Sequence, residues 1–274
     1  MSNMLLYEAS CVEVSVDNDI LRIDYIRCSP PARLKPKGTI ILLHDFFRTS
    51  YQYRHVVDIL AMGGYITVAL DFPGKPIWTQ QRPDRCPSSD QISASLVGFM
   101  RALKLEQPIH LVGCGLGVLI ATTIATHHSN LVASVVQAGG SSRNDLQDIS
   151  ILSISATEGE RRGAFRQYLT SKGTRPCYSD EEIEDTVAAF ANPVMLLAHK
   201  KIYDALVASD RSEKPMTASR NAKIAEQYLD ITPEEEPEHF ALSVLYYANN
   251  RGKETKQGTQ NAAAMGQSQA RPHL

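Results

Sequence analysis

The residues able to do chemistry gather in three short segments, each placed directly after a run of apolar residues. Leu43-His44-Asp45-Phe46-Phe47 offers an imidazole and a carboxylate. Asp71-Phe72-Pro73-Gly74 offers a second carboxylate, and Gly113-Cys114-Gly115-Leu116-Gly117 offers a thiol between glycines. Such groups move protons or attack electrophilic carbon. Asp45 admits two readings: a solvated surface carboxylate, or an acid/base group in a pocket. His44 likewise either orients its loop or transfers a proton. Two histidine-and-acid stretches lie later, Asp230 and His239 around Glu234-Glu235-Glu236. That acidic run reads as a solvated helix start rather than a metal site. No metal and no cofactor is expected. A dinucleotide turn, G-x-G-x-x-G, would need glycine at 118, where Val118 stands.

These segments need elements to hold them. Cys11 to Val16 and Ile20 to Ile26 alternate about a turn signal at Asp17-Asn18-Asp19, which predicts a hairpin. Thr39 to Leu43 is continuously apolar, as is Tyr65 to Leu70. Such runs suit strands covered on both faces of a parallel sheet. Tyr53 to Met62 has helical spacing and ends at Gly63-Gly64. A helix is predicted from Ser88, Ser89 or Asp90 to about Leu103, a strand over Pro108 to Val112, a helix from Leu116 to about His127 and a strand over Leu131 to Val136. This alternation implies a parallel sheet with helices on both faces. Ser179-Asp180-Glu181-Glu182 is a helix start. Asn192 to Leu197 fits either a strand or a buried helix. Pro237 to Tyr247 reads as a final amphipathic helix, and the chain from about Asn249 reads as a disordered polar tail.

In their order and context the three segments resemble the α/β-hydrolase family. Thr39 to Gly74, with Thr49-Ser50-Tyr51-Gln52-Tyr53-Arg54-His55-Val56, is similar to the epoxide hydrolase and haloalkane dehalogenase branch. The resemblance covers about Ile20 to Gly140. It implies an α/β-hydrolase fold, a mostly parallel sheet flanked by helices, with a reduced helical cap. The implied division is residues 1–140 and 211–249 as the two parts of the core, 141–210 as a cap-like region and 250–274 as the tail. In the family's elbow, G-x-S-x-G, small residues flank the nucleophile by two positions on each side. Here those are Gly113 and Gly117, so the apex is Gly115, which has no side chain with which to attack. A nucleophilic Cys114 would put Val112 and Leu116 at the small positions, so Cys114 reads as a packed thiol. The family's His-Gly stands here as His44-Asp45, and a carboxylate there would repel an oxyanion. The triad histidine has no clear counterpart: Asp230 or a neighbour occupies its place, and His239 falls inside the last helix. Asp145 and Asp204 are unpersuasive as the triad acid.

Composition narrows the classes. The chain has 274 residues, 43% hydrophobic and 21% charged, enough for a full core. With 28 Lys and Arg against 30 Asp and Glu the net charge is −2, which disfavours nucleic acid as partner. No apolar run approaches the roughly 18 residues of a membrane span. Five cysteines without a C-x-x-C pair predict free thiols in a reducing, cytoplasmic setting. The first ten residues lack the pattern of a secretory signal.

The expected function is a hydrolase-fold protein without the elbow nucleophile, non-hydrolytic, binding a small apolar ligand near Phe46, Tyr51, Trp78, Cys114 and Leu116. The alternatives are acid/base catalysis by Asp45 and His44 without a covalent intermediate (cyclisation, elimination or hydration), residual hydrolysis, a scaffold role as a homodimer, or a decayed gene product.

Overall fold

β1 (Leu6–Val16) and β2 (Asp19–Ser29) pair antiparallel from Leu6 opposite Ser29 to Val16 opposite Asp19, the hairpin that the alternation predicts. This computed structural model describes residues 5–16, 19–45, 48–72, 89–138, 157–171, 178–193, 196–197, 204, 225–229 and 231–250. Phe46, Trp78, Cys86, Asp145, Cys177 and Asp230 lie outside the described residues, as does the tail from residue 251.

β3 (Thr39–Leu43) and β4 (Ile66–Leu70) are buried at every position, which explains their unbroken apolar sequence. With β5 (Ile109–Cys114), β6 (Val132–Ala138) and β7 (Ala225–Leu229) they complete a sheet of order β1-β2-β4-β3-β5-β6-β7. β2 meets β4 antiparallel, and all neighbours from β4 to β7 run parallel. The carboxyl ends of β3 and β5 therefore lie side by side, with Leu43 opposite Gly113. Open α/β sheets carry their sites at such ends.

Strand alternation sorts side chains into two cores. Ile41, Leu43, Val68, Leu70 and Leu111 pack with α2 (Ser89–Ala102) and α3 (Leu116–His127). Ile40, Leu42, Ala69 and Val112 pack with α1 (Val57–Met62) and α6 (Pro237–Asn249). Each large side chain so enclosed, such as Phe99 or Phe240, contributes about 1.5–3 kcal/mol by leaving water. α4 (Glu158–Ser171) and α5 (Asp180–Phe190) add Phe165, Leu169, Ile183 and Val187 to the first core. α5 starts where the sequence says it should. Ser179 caps it and Glu182 completes a reciprocal capping box.

Three local features differ from or add to the expectations. The helix expected from Tyr53 begins at Val57, preceded by a 3₁₀ turn, Ser50–Tyr53, capped by the Thr49 side chain. That turn sends both Gln52 and Tyr53 inward, where they are 5% and 0% exposed. In the stretch left open between strand and helix, Pro193, Leu196 and Leu197 are helical. β7 has no clear sequence signal, since Ala-Glu-Gln-Tyr-Leu lacks β-branched residues, and among the described residues it pairs with β6. Among the described residues no helix is long and apolar enough to cross a membrane.

Candidate active site

The turn from β5 into α3 has Gly115 at its apex, flanked by Gly113 and Gly117. A Cβ on Gly113 would lie 2.5 Å from the Gly117 carbonyl carbon, and one on Gly117 would lie 2.1 Å from the Leu43 carbonyl oxygen. Both positions are therefore closed to side chains by packing. Gly115 itself has φ +49° and ψ −111°, a backbone region in which other L residues are strained.

The space above this apex is filled from a different segment. A Cβ on Gly115 would lie 1.8 Å from Asp45 Oδ1 and 2.2 Å from Asp45 Cγ. The carboxylate of Asp45 thus occupies the volume into which an apex side chain would project. Its Oδ1 accepts a hydrogen bond from the Leu116 backbone N–H at 3.0 Å. The N–H following the nucleophile is the one that an elbow contributes to its oxyanion hole. Asp45 is half-buried rather than fully solvated.

Asp45 is fixed by two neighbours. His44 is 2% exposed and stacks on Phe72 with centroids 4.0 Å apart. Its Nδ1–H donates to the Asp45 carbonyl at 2.7 Å, and its Nε2 accepts from the Phe72 N–H at 3.1 Å. A carbonyl can only accept and an amide N–H can only donate, so these bonds select the neutral tautomer protonated at Nδ1. The Asp45 N–H donates to Gln52 Oε1 at 2.8 Å, and Gln52 Nε2 donates to Glu234 Oε2 at 2.9 Å. Glu234 thereby settles which way the Gln52 amide faces.

Glu234 is the residue that sequence reasoning misplaced. Expected in a solvated acidic run, it has a side chain only 7% exposed. Arg48 Nε donates to its Oε1 at 3.0 Å and the Tyr178 hydroxyl donates to the same oxygen at 2.6 Å. Its neighbours behave as expected at a helix start. The Thr232 hydroxyl donates to Glu235 at 3.0 Å, and Glu236 pairs with a 65% exposed His239. The Thr232–Glu235 pair was visible as a short capping pattern, and Glu234 is the member that this pattern leaves to turn inward.

A cleft of about 310 Å³ opens beside this cluster, lined by Arg48, Tyr51, Gln52, Tyr178, Glu182 and Phe190 among others. The Tyr51 hydroxyl donates to Glu182 at 2.8 Å, which raises the tyrosine pKa. The Arg54 guanidinium lies 4.6 Å from the Tyr51 ring centroid and 5.0 Å from that of Tyr178. Burial pushes the Tyr178 pKa well up, so its hydroxyl remains a donor. Among the described residues no cluster of His, Cys, Asp and Glu could hold a metal ion.

The structure thus brings together Asp45, His44 and Gly115, and joins them through Gln52 to the wall that carries Tyr51. Leu116 contributes its backbone N–H, while its side chain, 3% exposed, faces the core. Cys114 is 2% exposed among the residues under α1 and α6, away from the cleft lining. Burial raises its thiol pKa well above the ordinary value, the opposite of what a nucleophile needs. Asp204 is exposed.

Known proteins share this fold. Over 115 residues the chain is 31% identical to epoxide hydrolase B of Mycobacterium tuberculosis, covering 42% of this chain and 32% of that protein. The match therefore spans about a third of that relative. The structure of Cfl2 from Burkholderia cenocepacia superposes with a TM-score of 0.65 at 15% identity, covering 88% of this chain and 95% of that one. The Cif epoxide hydrolase of Acinetobacter nosocomialis gives 0.66 at 13% identity, covering 88% of each. At such identities the structures speak for the fold alone, and the fold is that of the α/β-hydrolases. Residues 34–172, just over half the chain, match the family described as "Serine aminopeptidase, S33", and the protein belongs to that family of α/β-hydrolases.

Proposed function

We propose that this protein binds a small, largely apolar molecule in the cleft beside Asp45 and does not complete the covalent hydrolytic cycle of an elbow hydrolase. The supporting observation is the Asp45 Oδ1 bond to the Leu116 N–H, above an apex that carries no side chain. A donor that should receive a developing oxyanion instead holds a standing negative charge, which opposes acyl transfer. The rings of Tyr51, Tyr178 and Phe190 supply apolar contact, and Arg48 and Gln52 supply the polar groups that orient a ligand. His44 positions the loop, because both its ring nitrogens bond to backbone. In this reading α4 and α5 are the reduced cap over the core.

One observation favours a second reading, acid/base chemistry without a covalent intermediate. Asp45 is a half-buried carboxylate next to a cleft, the placement of a general base. One comparison tests both. The full chain is assayed for multiple turnovers of p-nitrophenyl esters and styrene oxide, and for thermal stabilisation by small aromatic alcohols. Stabilisation without turnover is expected. Sustained turnover that disappears in Asp45→Asn would overturn the binding reading and establish catalysis.

A further inference from the structure

We infer that β1 is a dimerisation edge, on which a second copy of this chain pairs antiparallel about a two-fold axis through Cys11. Among the described residues β1 is the end strand of the sheet, and it is 11 residues long. An edge strand presents a row of N–H and C=O groups to a further strand. The register with β2 says which residues do so. Val16 stands opposite Asp19 across a two-residue connection, which makes that pair hydrogen-bonded, and the pairs alternate from there. The even-numbered residues therefore bond to β2, while Tyr7, Ala9, Cys11, Glu13 and Ser15 turn their backbone groups outward. All five of these residues are exposed.

Sequence and register select a second copy as the occupant. Cys11 is the middle residue of β1, so a two-fold axis there pairs the strand along its whole length. Tyr7 then faces Ser15, Ala9 faces Glu13 and Cys11 faces its own copy. Each is an outward residue on both strands, so each pair exchanges both of its bonds. A shift by one residue sets outward groups against inward ones, and a shift by two shortens the ladder. The acids that would guard such an edge are answered within the hairpin, where Glu8 stands opposite Arg27 and Glu13 opposite Arg22. The two-fold register sets neither against an acid of the second copy. It also gathers the large apolar side chains that the hairpin leaves exposed, Tyr7 at 55% and Ile20 at 56%. Ile20 lies opposite Ser15, and Ser15 opposite Tyr7 of the second copy, all on one face. The tyrosine ring thus reaches over a serine toward an isoleucine two strand spacings, about 9.5 Å, away. The edge is three strands from β3 in the sheet order, so the pairing leaves the Asp45 cluster as it is.

The test is sedimentation of the full chain under reducing conditions over a wide range of concentration. A reversible dimer is expected. Ala9→Pro removes an outward N–H at two places in the dimer and spares the ladder to β2, so association should weaken about tenfold or more. Cys11→Lys sets two like charges opposite each other on an exposed face and should weaken it about fivefold. Thermal melting checks the fold of both variants, and Cys11→Lys, which changes only an exposed side chain, decides the matter if the proline variant folds poorly. Mild oxidation of the wild-type dimer should yield a peptide pair linked through Cys11, since paired Cα atoms about 5.5 Å apart lie within disulfide range. A chain that stays monomeric at every concentration, or a dimer that both variants leave intact, overturns the inference. In a monomer, slow amide exchange at the outward residues of β1 would assign the edge to a segment of the same chain, which overturns it as well.

Discussion

Replacing Gly115 by alanine tests where the Asp45 carboxylate sits. The new methyl carbon would fall within 1.8–2.5 Å of that carboxyl group, so Asp45 must leave and its bond to the Leu116 N–H must break. Loss of a hydrogen bond to a charged group costs about 1.5–3 kcal/mol. Holding a non-glycine residue at φ +49° adds about 1–3 kcal/mol of backbone strain. Together these come to about 2.5–6 kcal/mol. At the middle of that range, about 4 kcal/mol, Tm falls by about 8–16 °C for a domain of this size. Urea denaturation of wild type, Gly115→Ala, Asp45→Gly and the double variant separates the two contributions. Both single variants lose the same hydrogen bond, so the double variant is expected to be less destabilised than their sum by about 1.5–3 kcal/mol. A Gly115→Ala protein as stable as wild type, or a coupling below about 0.5 kcal/mol, refutes the placement of Asp45 over the apex.

Other outcomes follow from the same coordinates. Glu234→Ala removes the carboxylate that accepts from Arg48, Gln52 and Tyr178, the Arg48 side chain being 11% exposed, and lowers unfolding free energy by about 3–5 kcal/mol by urea titration. Glu234→Gln, which keeps acceptor and shape, costs less. Native alkylation with iodoacetamide at pH 8, read by peptide mass, labels Cys11 and spares Cys28 and Cys114 until the chain is unfolded. Burial pushes the Cys28 thiol up to about 12 and holds Cys114 well above its usual range. Glu182 has a lowered pKa, chiefly through its bond from the Ser179 backbone N–H, with Tyr51 and Arg54 assisting. Its stabilising contribution is therefore present above the ordinary carboxylate value of 4.5 and lost as pH falls through the lowered one. The Tm difference between wild type and Glu182→Gln is expected at neutral pH and should vanish in acid; a difference that persists unchanged at low pH refutes that assignment.

Periodicity located most of the core because each element's environment is simple. Thr39 to Leu43 is buried on both sides and reads so. α3 starts at Leu116, directly after Gly115, whose positive φ of +49° ends the extended strand. Ser179 announces α5 through a cap that is purely local. The tight turn around Gly115 was legible for the same reason, since glycine at 113 and 117 is a packing demand. What filled the apex was not legible. Nothing in the types of Asp45 and Gly115 says that these two residues share one volume; strand order and register supply that. Glu234 was misread because local composition ranks three successive glutamates alike, while a single inward turn gives one of them three donors. β7 escaped because its residues carry no β-branched signal and its partner β6 is distant in sequence.

The bonds to Glu234 also impose a schedule. Its donors Arg48, Gln52 and Tyr178 precede it by 186, 182 and 56 residues. A nascent chain that has exposed the whole β3–β5 framework still lacks the carboxylate that neutralises Arg48 and turns the Gln52 amide toward Asp45. On the ribosome, emerging at about 5–20 residues per second, the sheet can assemble from the front while the cleft waits for its final wall. The pocket is thus completed late in synthesis, and a chain released before residue 234 would carry the fold's beginning without its site.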